Sequence, residues 1–280
     1  MSPYITSLRL RTLPLSIAGI ILGSGLAGFG HLGVFALAVC TALCLQILSN
    51  LSNELGDAQK GTDADQHGRE AYGLQAGTIT QKQMKGMIIF FAGLAIVSGL
   101  ALLWAAFGSL FCTPSLVFIG LGALAIVGAV TYTLGKHSYG YIGLGDLGVF
   151  IFFGLLSTIG SYYLQTQTVT WEVVWCGIAI GLPCVGVLNL NNIRDMENDI
   201  LHGKRTFASL LGPVGARIYH YLLLLFCLLI FILEGHYWVG CVVPVWAWHI
   251  RVVGKTDTAL DKQMPVLMFS TLLVSILALI

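Results

Sequence analysis

Long apolar runs separated by short polar stretches dominate the chain. A run of about 20 apolar residues can cross a bilayer as a helix. Nine such runs lie near 13–31, 33–55, 84–107, 115–135, 146–165, 172–190, 214–233, 236–250 and 263–280. The break between the seventh and eighth falls at Glu234-Gly235-His236. The pattern predicts an all-α polytopic membrane protein, with about nine transmembrane helices around a central cavity opening at the cytoplasmic side. A single transmembrane domain over residues 1–280 is expected, with cytoplasmic cap loops near 56–83 and 191–213.

Composition agrees. Hydrophobic residues make up 56% of the chain and charged residues only 10%, against about 25% charged in soluble domains. The lipid bilayer is therefore the expected surroundings. A net charge of +1 gives no argument for nucleic acid, and none is expected as a partner. The seven cysteines form no CxxC pair and lie in or beside apolar runs, so they read as small buried hydrophobes. Gly19 and Gly23 form a small-xxx-small pair suited to close helix packing. Arg9 and Arg11 before the first run imitate a signal peptide. The run leads into further spans without a clear cleavage site, so a retained first helix is expected.

Charge position fixes an orientation. With nine spans, the N-terminus and the loops near 56–83, 136–145, 191–213 and 251–262 share one side. All fourteen Lys and Arg fall on that side or at its helix ends, and the other side carries only Glu172 and Glu234. The positive-inside rule makes the charged side cytoplasmic, with the N-terminus inside and the C-terminus outside. That side also holds eleven of the thirteen acids, which the rule does not explain. His220 and His249, near inner span ends, are given no role.

Two acidic segments stand out. In the first, Gln46, Asn50, Asn53 and Asp57 are spaced by four, three and four, one helical face running to the cytoplasmic edge. Gly56 and Gly61 are read as loosening the helix, which lets Asp63 swing back. In the second, Asn191, Asp195 and Asp199 are four apart, with Asn189 and Asn192 beside them, before Gly203-Lys204-Arg205. The shared Asn-x-x-x-Asp at 53/57 and 191/195 reads as an internal repeat facing across a cavity. Polar residues at a span end often just meet water. Two facts weigh against that here. Carboxylates at a helix C-terminus oppose its dipole, at about 0.3–1 kcal/mol each. Gln46, Asn50 and Asn189 also lie deeper, where polar groups need partners.

A cation between the segments answers both objections. Asp and Asn oxygens suit Mg2+, which typically takes one or two carboxylates, waters and substrate phosphates. Lys60, Arg69, Arg194, Lys204 and Arg205 are placed to hold phosphate oxygens, although the positive-inside rule accounts for each equally well. A charged head site above charge-free spans fits a ligand with an anionic head and a long apolar tail. A polyprenyl diphosphate is such a molecule. Its ionisation leaves an allylic cation, which an apolar site shields from water and an electron-rich aromatic ring attacks.

At these residues the chain resembles the UbiA superfamily of membrane prenyltransferases, over nearly its whole length. The matching stretches include Arg11-Thr-Leu-Pro14, Leu45-Gln-Ile-Leu-Ser-Asn50, Gly56-Asp57 with Lys60-Gly61-Thr-Asp63, Tyr139-Gly-Tyr141-Ile-Gly-Leu-Gly145-Asp146 and Asn191-Asn192-Ile-Arg194-Asp195. They resemble most the branch that prenylates 1,4-dihydroxy-2-naphthoate in menaquinone synthesis. The resemblance implies a magnesium-dependent transfer of a polyprenyl group to that acid with loss of carbon dioxide, in a bacterial cytoplasmic (inner) membrane. It assigns Asn53, Asp57, Asp63, Asp195 and Asp199 to metal and diphosphate. Tyr132 and Lys136 match a Tyr-x-x-x-Lys pattern near the reacting groups, and Arg11 is placed to face the acceptor. Asn50, Asn191 and Asn192 belong to the substrate-binding set. Two departures are visible: Glu54 follows Asn53 where relatives often have Asp, and His67-Gly68-Arg69-Glu70 lacks the usual Gly-Pro, which weakens a role for Arg69. Another acceptor such as 4-hydroxybenzoate stays open. An ion-coupled transporter would carry ionisable residues near mid-span, and a quinone-binding subunit would not need two acidic segments.

Overall fold

A computed structural model describes residues 3–61, 72–136, 138–255 and 260–280. Among them the regular structure is entirely helical. The elements are α1 (Leu13–Leu26), α2 (Leu32–Lys60), α3 (Gln81–Phe107), α4 (Thr113–Thr131), α5 (Gly145–Thr166), α6 (Trp171–Arg194), the short α7 (Met196–Leu201), α8 (Phe207–Leu233), α9 (Val243–Val253) and α10 (Leu260–Leu277). Eight helices among the described residues are long and apolar enough to cross a membrane. The eighth apolar run folds as a 3-10 segment, Tyr237–Val242, continued by α9. The break expected at Glu234–His236 is present, with Gly235 at φ 92°.

Several boundaries differ from expectation. α1 ends at Leu26 rather than near 31, because Gly28 and Phe29 take positive φ. α2 runs on to Lys60, so Gly56 does not loosen it. A Cβ on Gly56 would lie 2.6 Å from Thr133 Oγ1, so this glycine serves a close approach to the segment after α4. Gly61, at φ 74°, is where the helix stops. In α5 the residues Phe150–Leu156 widen into a π-helical stretch. Gly212 leaves helical geometry ahead of Pro213, so the long part of α8 begins where the apolar run does.

Close packing at the centre depends on small residues. A Cβ on Gly23 would meet Thr158 O at 2.1 Å, and one on Gly154 would meet Gly181 Cα at 2.6 Å. These contacts seat α1 on α5 and α5 on α6. α6 is the central helix, with 72% of its apolar window buried. Its inner neighbours are α8 and α10. α2, α3 and α4 form the other flank. Between the two groups lies the cavity.

Candidate active site

The cavity has a volume of about 570 Å³. Its polar end is lined by Asn53 and Asp57 of α2, Asn191 and Arg194 of α6, and Asp195, Asp199 and Lys204 beyond it. Its remainder is mostly apolar, lined by such residues as Leu102, Ile126 and Phe152, with a few hydroxyls such as Thr41 and Ser161. Ala38 and Asp57 both line it; on one helix they lie roughly 28 Å apart at a rise of about 1.5 Å per residue. That is close to the ~30 Å thickness of a bilayer's hydrocarbon core.

Two segments shape the polar end. Tyr132 follows α4, and Gly140 N donates to its carbonyl at 3.0 Å. A Cβ on Gly140 would lie 2.7 Å from that carbonyl, and one on Gly148 2.9 Å from the Tyr139 ring. The glycines of the 139–148 segment thus let the chain wrap the Tyr132 and Tyr139 rings, which meet edge to face with centroids 5.3 Å apart. Burial pushes the Tyr139 phenol up to about 12. Tyr132 lines the cavity and is raised well above its ordinary value, by burial first and by Tyr139 and nearby carboxylates after it. Its hydroxyl therefore keeps its proton.

Tyr141 joins the two acidic segments. Its hydroxyl donates to Asp57 Oδ1 at 3.0 Å. Lys60 Nζ lies 3.5 Å from its ring centroid and Lys204 Nζ 5.6 Å. Its carbonyl accepts from Arg205 N at 3.0 Å. Lys60 also donates to Ser138 Oγ.

On the facing side, α6 ends at Arg194 and α7 begins after Asp195. Asp199 N donates to Asp195 O at 2.8 Å, so the four-residue spacing survives the interruption. Arg194 holds both Asp195 oxygens, through Nε at 2.7 Å and Nη2 at 2.5 Å, and also donates to Asn191 and Asp261. Lys204 Nζ lies 3.2 Å from Asp199. Burial raises Asp199 to about 6; Lys204 opposes the shift, while Asp195 and Asp57 add to it. Burial lowers Lys204, but Asp199, Asp57 and Asp195 outweigh it, so the ammonium titrates above its ordinary value.

The structure brings together Asn53, Asp57, Asn191, Arg194, Asp195, Asp199, Lys204, Tyr132, Asn50 and Arg11 at one cavity, with Lys60 at its edge. It does not bring Asn192 or Lys136 there. Asn192 is 2% exposed and does not line the cavity; Lys136 is exposed at the end of the turn after α4. Asp63 and Arg69 lie outside the described residues.

The deeper amide side chains find protein partners for their NH2 groups, while Gln46 Oε1 and Asn189 Oδ1 are buried without one among the described residues. Gln46 Nε2 donates to Thr12 and Asn50, and Asn50 Nδ2 donates to Leu8 O and Thr12 Oγ1, both at 3.0 Å. Asn189 Nδ2 donates to Ala216 O at 2.9 Å. Glu54 is fully buried and accepts from Leu74 N at 2.8 Å and Ser7 Oγ at 3.2 Å. α2 therefore splits its polar residues. Gln46, Asn50 and Glu54, four apart, anchor the N-terminal segment and the loop before α3, while Asn53 and Asp57 face the opposing acids. His220 and His249 pair at 2.9 Å within the helices, away from the cavity.

Among the described residues no three His, Cys, Asp or Glu side chains are grouped to hold a metal ion by themselves. The donor set still fits Mg2+ that arrives with phosphates, since that ion takes one or two carboxylates and completes its shell elsewhere. The buried Asp199 Oδ2 has Lys204 Nζ at 3.2 Å but no well-aligned hydrogen bond, and the mutual repulsion of Asp57, Asp195 and Asp199 favours a cation among them.

Residues 12–273 match the UbiA prenyltransferase family. A 1,4-dihydroxy-2-naphthoate octaprenyltransferase of Escherichia coli is 46% identical over 237 residues, covering 81% of this chain and 75% of the relative. One from Mycobacterium tuberculosis is 34% identical over 218 residues, covering 77% and 72%. A UbiA homolog from Archaeoglobus fulgidus bound to GPP and Mg2+ superposes with a TM-score of 0.66 at 13% identity, covering 99% of each chain. At that identity the likeness speaks for the fold alone.

Proposed function

This chain belongs to the UbiA prenyltransferase family, and on that footing we propose that it transfers a polyprenyl group from polyprenyl diphosphate to 1,4-dihydroxy-2-naphthoate. The products are the prenylated naphthoquinol, diphosphate and carbon dioxide. One observation carries this reading: two acidic segments line one end of a cavity whose remaining length is mostly apolar and close to the thickness of a bilayer's hydrocarbon core. An anionic head and a long hydrocarbon tail match those two parts. The names of the relatives in E. coli and M. tuberculosis support the acceptor, and the Mg2+ and GPP in the A. fulgidus homolog support the donor and the ion.

In this reading Asp57, Asp195 and Asp199, with Asn53 and Asp63, hold Mg2+ and diphosphate. The ion, when bound, neutralises charge that develops on the departing diphosphate. Lys204, Lys60 and Arg194 hold the remaining phosphate oxygens, and their present carboxylate or ring partners keep them in place until the anion arrives. The carbon–oxygen bond to the prenyl group breaks with its electron pair leaving on diphosphate. The allylic cation is stabilised beside the Tyr132 and Tyr139 rings and kept from water by the apolar wall. The naphthoate carbon bearing the carboxylate attacks it. Loss of carbon dioxide returns the electron pair to the ring and restores aromaticity. The protein acts as one domain in a bacterial inner membrane, N-terminus inside. It is assayed with purified protein in lipid nanodiscs, Mg2+, a labelled polyprenyl diphosphate and the naphthoate. A prenylated naphthoquinone is the expected lipid product. Unchanged donor, or product only with 4-hydroxybenzoate, would reject this acceptor.

A further inference from the structure

Large apolar side chains stand exposed beside the polar end of the cavity. Ile142 and Leu144 belong to the glycine-rich segment ahead of α5, and Phe207, Leu210 and Leu211 to the single turn ahead of the kink at Gly212. Ile142 is 62% exposed and Leu210 66%. The two segments are latched together. Arg205 N donates to Tyr141 O at 3.0 Å, and a Cβ on Gly143 would lie 3.8 Å from Leu210 Cδ1. The Tyr219 hydroxyl donates to Asp146 Oδ2 at 3.1 Å, and the Tyr219 ring meets that of Phe207 edge to face with centroids 5.0 Å apart.

The two sides of this latched pair differ. Toward the cavity it presents Tyr141, which holds Asp57, and Lys204, which sits on Asp199. Away from the cavity it presents the leucines and the isoleucine, while Thr206 and Ala208 between them are buried. A contiguous exposed apolar patch marks a surface that meets a protein or a membrane, and continuity selects the membrane. Leu144 and Leu210 stand just ahead of Leu147 and Val214, which open the exposed apolar rows of α5 and α8, Val214 at 71%. On α8 that row runs on through Ile218, Leu222 and Leu225, which face lipid once the helix crosses a bilayer. A soluble partner would have to share the row with lipid. Gly212, at φ 72° and ψ 171°, breaks the helix, so the turn before it leaves the line of the span. Arg205 lies on the same turn, exposed and absent from the cavity wall, where a cation meets lipid phosphates.

We infer that Ile142, Leu144, Phe207, Leu210 and Leu211 form a shelf seated in the bilayer leaflet nearest the acidic segments, at the boundary of headgroups and acyl chains, with Arg205 at the level of the phosphates. The occupant of this face is lipid, as for an interfacial amphipathic segment whose apolar side sinks about 5–10 Å into that boundary. The shelf carries Tyr141 and Lys204 on its other side, so the leaflet sets the depth of the cavity's polar end. A donor whose tail lies in the same leaflet then reaches that end without leaving lipid. This last step rests on the prenyl diphosphate reading given above; the seating of the shelf does not.

Depth is measured on the full chain in nanodiscs, without turnover. In a parent carrying Cys40→Ala and Cys241→Ala, which removes the exposed thiols, Ile142→Cys and Leu210→Cys are each labelled with a bimane fluorophore. Glu197→Cys, exposed on α7, is the water-facing reference, and Leu225→Cys the lipid-facing one. The labelled parent gives the background. Both shelf probes are expected to lose emission to lipids carrying a nitroxide at the headgroup or high in the acyl chain, and to be shielded from aqueous iodide. Quenching by iodide as strong as at Glu197→Cys would overturn the proposal. Shielding from iodide and nitroxide lipid alike would assign the face to a protein contact and overturn it too. Leu210→Glu then tests the setting of depth. KM for a long polyprenyl diphosphate should rise about three- to tenfold, with kcat and the KM for geranyl diphosphate unchanged. An equal rise for both donors, or none for either, would overturn the depth-setting role. If the unsubstituted chain turns over neither donor, the prenyltransferase reading fails, while the probe depths still decide the shelf.

Discussion

The Tyr141 hydroxyl donates to Asp57 Oδ1 at 3.0 Å, and the face of the same ring lies 3.5 Å from Lys60 Nζ. One side chain thus orients an acid and a base of the first acidic segment. Tyr141→Phe keeps the ring and removes the hydroxyl. A hydrogen bond to a charged group is worth about 1.5–3 kcal/mol, so kcat/KM is expected to fall roughly ten- to a hundredfold. The thermal midpoint should hardly move. Steady-state kinetics beside a thermal melt checks both; undiminished activity would remove Tyr141 from the site.

Asp57→Ala and Asp195→Ala are each expected to abolish turnover while the protein still inserts. Neither side chain fills a core, and both face the cavity. Chelating divalent ions from the wild type should reproduce the loss, and added Mg2+ should reverse it. Near-normal activity in either folded variant would remove that residue from the donor site.

Packing at the centre gives a stability contrast. Gly23→Ala places a methyl 2.1 Å from Thr158 O, whereas a Cβ on Gly120 meets nothing within 4 Å. Gly23→Ala should destabilise by about 1–3 kcal/mol. Gly120→Ala should be neutral or gain a few tenths from better helix propensity. Thermal melts in one lipid nanodisc preparation separate the two.

Much of this architecture is written locally. Apolar length marks the spans, Gly235 marks the break before the 3-10 segment, and Gly212-Pro213 marks where the long part of α8 begins. The pairing of the two acidic segments is also visible, because four-residue spacing puts Asn53 with Asp57 and Asp195 with Asp199 on shared faces. Other parts depend on contacts between distant residues. Nothing in Phe150–Leu156 announces a π-helical stretch. Gln46, Asn50 and Asn189 read only as deep polar groups that need partners, and the fold alone brings Thr12 and Ala216 beside their NH2 groups. Glu54 looks like a variant ligand, though its spacing from Gln46 and Asn50 already marks the face that turns to the N-terminal segment. Tyr141 lies inside a recognisable glycine-rich motif, but only the approach of Asp57 and the two lysines reveals its position.

Orientation is tested by cysteine accessibility. Thr168 follows α5, and Leu201, 82% exposed, lies at the end of α7. Thr168→Cys should react with an impermeant thiol reagent from outside intact cells. Leu201→Cys should react only after the membrane is opened, with the unsubstituted chain as background. Labelling of both from one side would contradict the nine-span arrangement.

The fate of the acceptor's carboxyl carbon tests the central claim most directly. The naphthoate is labelled at that carbon and incubated with the purified protein, Mg2+ and a polyprenyl diphosphate. Attack at the carbon bearing the carboxylate must expel that group, so label should leave as carbon dioxide in step with formation of the prenylated lipid. A 4-hydroxybenzoate enzyme alkylates a carbon bearing hydrogen and keeps its acid. Label retained in the lipid product, or no naphthoate product at all, would contradict the assignment.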